Sequence, residues 1–447
     1  MLISEKEAKR ICKAALTCIT AEDAQVTLET EDYSHLRFAA NSFTTSGRRE
    51  QASATVTVWI NKRRGSASSA DLQESSIKKA VAEAEDLARL SPVDKEYLPT
   101  LAAQTYGPGN AGFVEATVNI NLSARAKAVD EIIRMCEKDG VIGAGFHHAS
   151  GTASAFATKN GNFHYYRSSL ASLSVTARTP DGGSSGYFLR NHFDIARLNT
   201  AQIGREAINK ALSSKGAKEL EPGIYPVILE SQAAGDLIRL GFEARSADEG
   251  RSAFSAPKGK TRVAEQLFDD RINIYSDPWN PELPASPVAP EGIPAEKIYF
   301  VRNGILENLE YSRYWAREKG KTPTPGPANS IFESSATPAS LEKMIKTMKR
   351  GLLVSRFWYI RLVDPRTALF TGLTRDGVWL VENGKIVHPV RNFRFNQSLI
   401  ELLAPGNVEL LGRAERVSNS ESQGQGASMI PPIRVKEFHF SSQSEAV

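Results

Sequence analysis

The pattern of apolar residues changes near Ser252, and that change limits the fold more than any other feature of the chain. Before it, helical and strand periods alternate. Beyond it, helical stripes are scarce, and short strand-like runs lie between Gly, Pro and Asn turns. Ile11, Ala14, Ala15 and Cys18 predict a first helix, and Val26-Thr27-Leu28 with the alternation Ala54, Val56, Val58, Ile60 predicts half-buried strands. Ile77, Ala80, Val81, Ala84, Leu87 and Ala88 predict a second helix that starts near Asp71 and stops at Ser91-Pro92. A Pro- and Gly-rich connection follows from Pro92 to Gly112.

The pattern then restarts. Ala126, Val129, Ile132, Ile133 and Cys136 predict a helix; Val141 to Phe146 and Ala153 to Ala157 predict strands; Asn160-Gly161-Asn162 is a hairpin turn before Phe163 to Thr176; Ile203 to Leu212 is again helical. The chain up to that helix therefore reads as two copies of a helix, antiparallel sheet, helix unit. Glu221-Pro222-Gly223 marks a boundary, and the strand Tyr225 to Leu229 runs into the stripe Ala233, Leu237, Leu240, Gly241, Ala244, which predicts one helix over 231–250. Further on, Ile298 to Val301, Trp358 to Val363, Val378 to Val381 and Ile433 to Phe440 read as strands, with a helix near Leu341 to Met348. Lys321 to Asn329 reads as an exposed loop, and Ser418 to Ser428 as a polar, mobile stretch. The fold class is α+β: an amino-terminal domain, 1–220, of helices packed on antiparallel sheet, and a β-rich domain, 221–447.

Charge and short motifs exclude several functions. Fifty-five Lys and Arg against 51 Asp and Glu leave +4 over 447 residues, and the basic runs Lys62-Arg63-Arg64 and Lys343 to Arg350 lack interleaved aromatics, so nucleic acid is not an expected partner. Cys12, Cys18 and Cys136 form neither a disulfide framework nor a zinc set. The charged start MLISEKEAKR and the absence of any run of about 18 apolar residues predict no membrane span and a cytoplasmic location. Gly107 to Gly112 spells G-x-G-x-x-G without leaving a strand or opening a helix. Gly182 to Gly186 spells G-x-S-x-G on a strand connection, and Asp194 after His192 breaks the hydrolase order. His147 and His148, adjacent on a strand, point to opposite faces and cannot share an ion. His35, His164, His192, His388 and His439 are isolated.

The stretch Leu240-Gly241-Phe242-Glu243-Ala244-Arg245-Ser246-Ala247, running on to Asp248-Glu249-Gly250-Arg251-Ser252-Ala253-Phe254-Ser255, resembles the core of the TldD/PmbA family, whose metallopeptidase branch carries H-E-x-x-x-H on this helix. Val301 to Leu306 with Tyr311-Ser312-Arg313 and Ala316-Arg317, Leu380 to Ile386 with Pro389-Val390-Arg391, and Leu36 to Ser42 are similar to other parts of that family, in the same order. Aligned on Glu243, the two His positions fall on Phe242 and Ala247, and the carboxy-terminal stretch where the family has a Cys ligand, Ser418 to Ile430, contains none. Glu243 and Asp248 lie about 140° apart on a helix and do not make a substitute oxygen site. The resemblance implies a β assembly around a central cavity and a dimer, formed with a TldD-like zinc-bearing subunit or with itself. It further implies that this chain has no catalytic residue, metal or cofactor of its own, and is a non-catalytic subunit of a peptidase for unfolded or extended peptides. Arg245 and Arg251 are its candidate partners for a peptide carboxylate. Two other readings stay open: a stand-alone peptidase with non-zinc chemistry, and a homodimeric peptide-binding or maturation factor.

Overall fold

A computed structural model describes residues 2–109, 111–422 and 426–444. Asn110 of the Gly-rich connection and 423–425 of the polar stretch lie outside the described residues. The architecture is α+β, as the pattern implies.

Ser4 caps α1 (Glu5–Cys18) by accepting from the amide of Glu7, and Ala8, Ile11, Cys12 and Ala15 form its buried stripe. The strands β1 (Asp23–Ala39), β2 (Ser42–Ile60) and β3 (Arg63–Ser69) follow, and then α2 (Glu74–Leu90). Asp71 is not the cap of α2; its carboxylate accepts from the amide of Gln73 and the hydroxyl of Ser76, closing a turn just ahead of the helix. After the connection and the single turn α3 (Glu115–Val118), the order repeats as α4 (Leu122–Lys138), β4 (Ile142–Thr158), β5 (Phe163–Arg178), β6 (Ser185–His192) and α5 (Thr200–Ser213). The strands form one antiparallel sheet ordered β3-β2-β1-β4-β5-β6.

The centre of that sheet is the pairing of β1 with β4, from Gln25 opposite Thr158 to Phe38 opposite Gly145, and the two halves are related about it by an approximate twofold. Equivalent backbone bonds close its ends: Asn41 N–H to Gly143 O at 3.1 Å and Lys159 N–H to Ala24 O at 2.9 Å. Val26, Leu28, Val56 and Val58 pack under α1 and α2, and Leu36, Phe38, Leu173 and Val175 under α4 and α5. Each such side chain contributes roughly 1.5–3 kcal/mol through burial. Both outer strands carry a glycine where a helix crosses. A Cβ on Gly65 would sit well under 3.0 Å from Ala84 O and Ala88 N, and one on Gly186 equally close to Ala207 O and Ala211 N.

The two strands expected over Val141 to Phe146 and Ala153 to Ala157 are one, β4, because His147 to Thr152 continue the ladder between β1 and β5. His147 lies opposite Leu36 on the helix-covered face, and His148 opposite His35 on the other; both are buried.

In the second half, β7 (Gly223–Leu229) pairs in parallel with Arg350–Asp364 and antiparallel with Ile433–Gln443. From there the pairing passes through Phe393–Ser398 to Leu369–Glu382, which returns to Arg350–Asp364 and closes a five-stranded ring. Phe357, Phe393, Phe395, Phe438 and Phe440 are buried within it, with neighbouring rings 4.7 to 5.5 Å apart. A second sheet joins Ile272–Ser276, Ile298–Arg302 and Ser330–Ser334 to Ser428–Ile430 and Glu415–Val417. Among the described residues no helix is long and apolar enough to cross a membrane.

The single helix expected over 231–250 is instead two, α6 (Ser231–Leu237) and α7 (Ala244–Asp248). Phe242 turns inward between Phe254 and Phe300, at 5.2 and 4.7 Å. The backbone there bonds to another segment, Glu310 N–H to Phe242 O and Ala244 N–H to Glu310 O. Those bonds take the place of the intrahelical ladder, and of the crossing residues 238–243 only Phe242 is buried.

Candidate functional site

The strand β7 delivers its chain directly to α6, where Ser231, Gln232 and Asp236 are buried among Ala233, Ala234 and Leu237. Glu230, the residue before the helix, is held by Lys210 of α5 at 2.6 Å, which ties α6 to the amino-terminal sheet. Gly235 allows the pair Glu415–Val417 and Ser428–Ile430 to pack close, since a Cβ there would come within 2.6 Å of Val417 Cγ2. From β6, Asn191 accepts from Arg416 Nε at 2.9 Å and donates to Ser418 Oγ at 2.5 Å. These contacts lay Ser418 to Ser420 against α6.

Asp236 is 1% exposed, and its carboxylate accepts from Ser420 N–H (3.1 Å), Gln232 Nε2 (2.9 Å) and Phe357 N–H (3.3 Å). Gln232 Nε2 also donates to Ser418 O at 2.7 Å. Burial raises the Asp236 carboxyl to about 6, with the nearby Arg356 guanidinium acting against that rise. Arg356, 4% exposed, lies over the rings of Tyr187 (3.9 Å) and Trp358 (4.9 Å) and pairs with Asp376 at 3.2 Å. Asp376 in turn accepts from Ser185 Oγ at 2.6 Å. Ser420 and Arg356 open onto a cavity of about 340 Å³ between the amino-terminal sheet and the ring.

The positions aligned from the sequence, Phe242, Glu243 and Ala247, lie outside α6. Phe242 and Ala247 are core residues beyond the helix break, and Glu243 is an exposed carboxylate accepting from Ser246 Oγ. The buried polar residues of α6 are instead Ser231, Gln232 and Asp236, at the first, second and sixth positions of a six-residue run. The signal for them was a run of polar residues, Ser231-Gln232 and Asp236, set among small ones directly after a buried strand. Arg245 and Arg251 do not reach this site. Arg245 binds Glu96 and Glu249 and covers Trp315, and Arg251 also pairs with Glu249, so both guanidinium groups are engaged on the surface.

The donors at α6 do not fit zinc. They are hydroxyls, an amide and one carboxylate already holding three N–H groups, with no imidazole or thiolate and with a fixed guanidinium beside them. Among the described residues no group of three or more His, Cys, Asp or Glu is placed to hold a metal. Burial raises the thiols of Cys12 to about 12 and Cys136 to about 11, and the buried Ser184 Oγ donates to Ala211 O at 2.8 Å.

A carboxyl raised on folding favours the folded state below its unfolded value, and that contribution is lost as pH rises through the folded one. Between pH 4 and pH 7 the folding free energy of the wild type, relative to Asp236→Asn, is therefore expected to fall by about 1–3 kcal/mol. Urea melts at the two pH values measure it; equal differences would show that Asp236 is not desolvated.

Three family models match the chain in order: PmbA/TldA metallopeptidase domain 1 over residues 24–88, the central domain over 115–215 and the C-terminal domain over 222–442. Metalloprotease PmbA of Escherichia coli O157:H7 is 27% identical over 403 residues, which are 85% of this chain and 84% of that protein. The Metalloprotease PmbA homolog of Haemophilus influenzae is 24% identical over 401 residues, with the same coverage of 85% and 84%. The crystal structure of TldE from Thermococcus kodakarensis superposes with a TM-score of 0.83 at 16% identity, covering 97% of this chain and 99% of that one. The chain belongs to the PmbA/TldD metallopeptidase family.

Proposed function

We propose that this chain is the metal-free, non-catalytic subunit of a two-subunit metallopeptidase acting on unfolded or extended peptides, and that it shapes the shared chamber and holds the peptide. The observation that carries the reading is the composition of the α6 site. The polar side chains buried on α6 are a hydroxyl, an amide and a carboxylate, those of Ser231, Gln232 and Asp236, and the cation Arg356 is already beside the carboxylate. A divalent ion there would meet a fixed positive charge and no soft donor. The likeness of the whole fold to TldE supports the same assignment.

The test compares the purified chain alone with the chain co-expressed with a relative that retains the histidine motif. Alone, it is expected to bind no stoichiometric zinc by elemental analysis and to leave an unfolded polypeptide intact. Together, the two are expected to co-purify and to give turnover that a chelator stops. Chelator-resistant turnover by the lone chain would instead make it a peptidase of other chemistry. Failure to associate with the relative, with self-association retained, would favour a homodimeric binding factor.

A further inference from the structure

The cavity beside α6 is lined by cations from four strands of two sheets. Arg37 comes from β1, Arg178 from β5, and Arg356 and Arg375 from the ring strands Arg350–Asp364 and Leu369–Glu382. Asp376 alone among the lining residues opposes them; it pairs with Arg356 at 3.2 Å and lies 3.9 Å from Arg375. Among the described residues, Arg37 and Arg178 have no carboxylate within ion-pairing distance and no side-chain hydrogen bond. Arg356 is fixed by stacking on Tyr187 and Trp358, which cover its faces and leave its edges for hydrogen bonding, and its buried Nε has no partner. Burial, with the like charges of Arg356 and Arg178, pushes the Arg375 guanidinium below its usual range, against Asp376. Holding four guanidinium groups around one half-buried space with a single counter-carboxylate is unfavourable unless an anion enters.

We propose that this cavity is a carboxylate-binding site that anchors an extended peptide by its terminal carboxylate, with Arg356 and Arg375 as the inner contacts and Arg37 and Arg178 at the mouth. The proposal deepens, and rests on, the peptide-holding role proposed above. It moves the carboxylate contact from Arg245 and Arg251, which are engaged with Glu96 and Glu249, to arginines with unused donors. About 340 Å³ is within the range of small-ligand clefts, and Ser174 and Thr176 of β5 supply further hydroxyls along the same wall. Planar, preoriented guanidinium edges suit a planar carboxylate.

Fluorescence anisotropy on the full chain tests this with three labelled peptides of one unstructured sequence: the free acid without acidic side chains, its carboxyl-terminal amide, and an amide with one internal Glu. The free acid is expected to bind roughly tenfold more tightly than the plain amide. That preference is expected to shrink towards unity in Arg37→Gln/Arg178→Gln, whose exposed side chains can change without disturbing the core, and in Arg375→Gln. Tight binding of the Glu-containing amide would support the site and extend it to side-chain carboxylates. Equal binding of all three peptides, or a preference unchanged in the double variant, overturns the carboxylate site while leaving the peptide-holding role intact. Binding of none of them overturns both.

Discussion

Replacing Gly65 or Gly186 by valine is expected to destabilise the protein by about 3 kcal/mol or more for each substitution. Both glycines lie in outer strands exactly where a helix crosses, and the atoms a Cβ would strike are backbone: Ala84 O and Ala88 N in one half, Ala207 O and Ala211 N in the other. Backbone cannot swing aside as a flexible side chain can, so α2 or α5 must lift from the sheet and give up part of its buried stripe. For a unit of this size the melting temperature should fall by roughly 6–12 °C. Gly241→Ala is the control. Its Cβ meets nothing within 4 Å, and a change within about 0.5 kcal/mol is expected. Equal thermal melts for Gly65→Val and Gly241→Ala would show that the close approach carries no weight.

Acid should undo the amino-terminal half through two adjacent residues. Burial, with the positive charge of Arg125 nearby, lowers both His147 and His148 to about 4, and the Nδ1 atom of each is buried without a partner. At pH 7 both are neutral in the folded chain and mostly neutral in the unfolded one. As pH falls below about 6.5 the unfolded chain takes up protons that the folded chain refuses, so stability is lost progressively down to about pH 4. For the pair this amounts to about 3–6 kcal/mol, a large part of the 5–15 kcal/mol that ordinary domains possess. His147→Leu/His148→Phe keeps a ring against Tyr33, which now stacks on His148 at 5.6 Å, and removes both titrations. Urea midpoints between pH 7 and pH 4.5 should drop steeply for the wild type and much less for the variant. Asp236 acts in the opposite sense over part of this range, so an Asp236→Asn background isolates the histidines. Parallel curves for the two proteins would refute the assignment.

Much of the amino-terminal sheet was legible in the sequence because one face of it is apolar. Ala54, Val56, Val58 and Ile60 alternate, and the helix stripes repeat at three and four residues. The outer half of β2, Ser42 to Gln51, was not legible. It is exposed throughout, so no burial pattern marks it, and only its pairing with β1 makes it a strand. The break between α6 and α7 was hidden for the opposite reason. Ala233, Leu237, Leu240, Gly241 and Ala244 fall at helical spacing, yet Phe242 is buried by stacking and its backbone bonds to Glu310. Reading that crossing as helix placed Phe242, Glu243 and Ala247 on one helix with Ser231, Gln232 and Asp236, from which the break separates them. The arginine-lined cavity had no local signature at all. Arg37, Arg178, Arg356 and Arg375 are scattered along the chain and meet only once two sheets face each other.

The closed ring imposes an order on biosynthesis. One edge of β7 is covered by Arg350–Asp364 and the other by Ile433–Gln443, both far downstream of it. A nascent chain emerging from the ribosome can complete the duplicated sheet early, whereas β7 waits with bare edges until nearly the whole polypeptide has been made. During that interval the second half is the part that exposes unpaired strand edges.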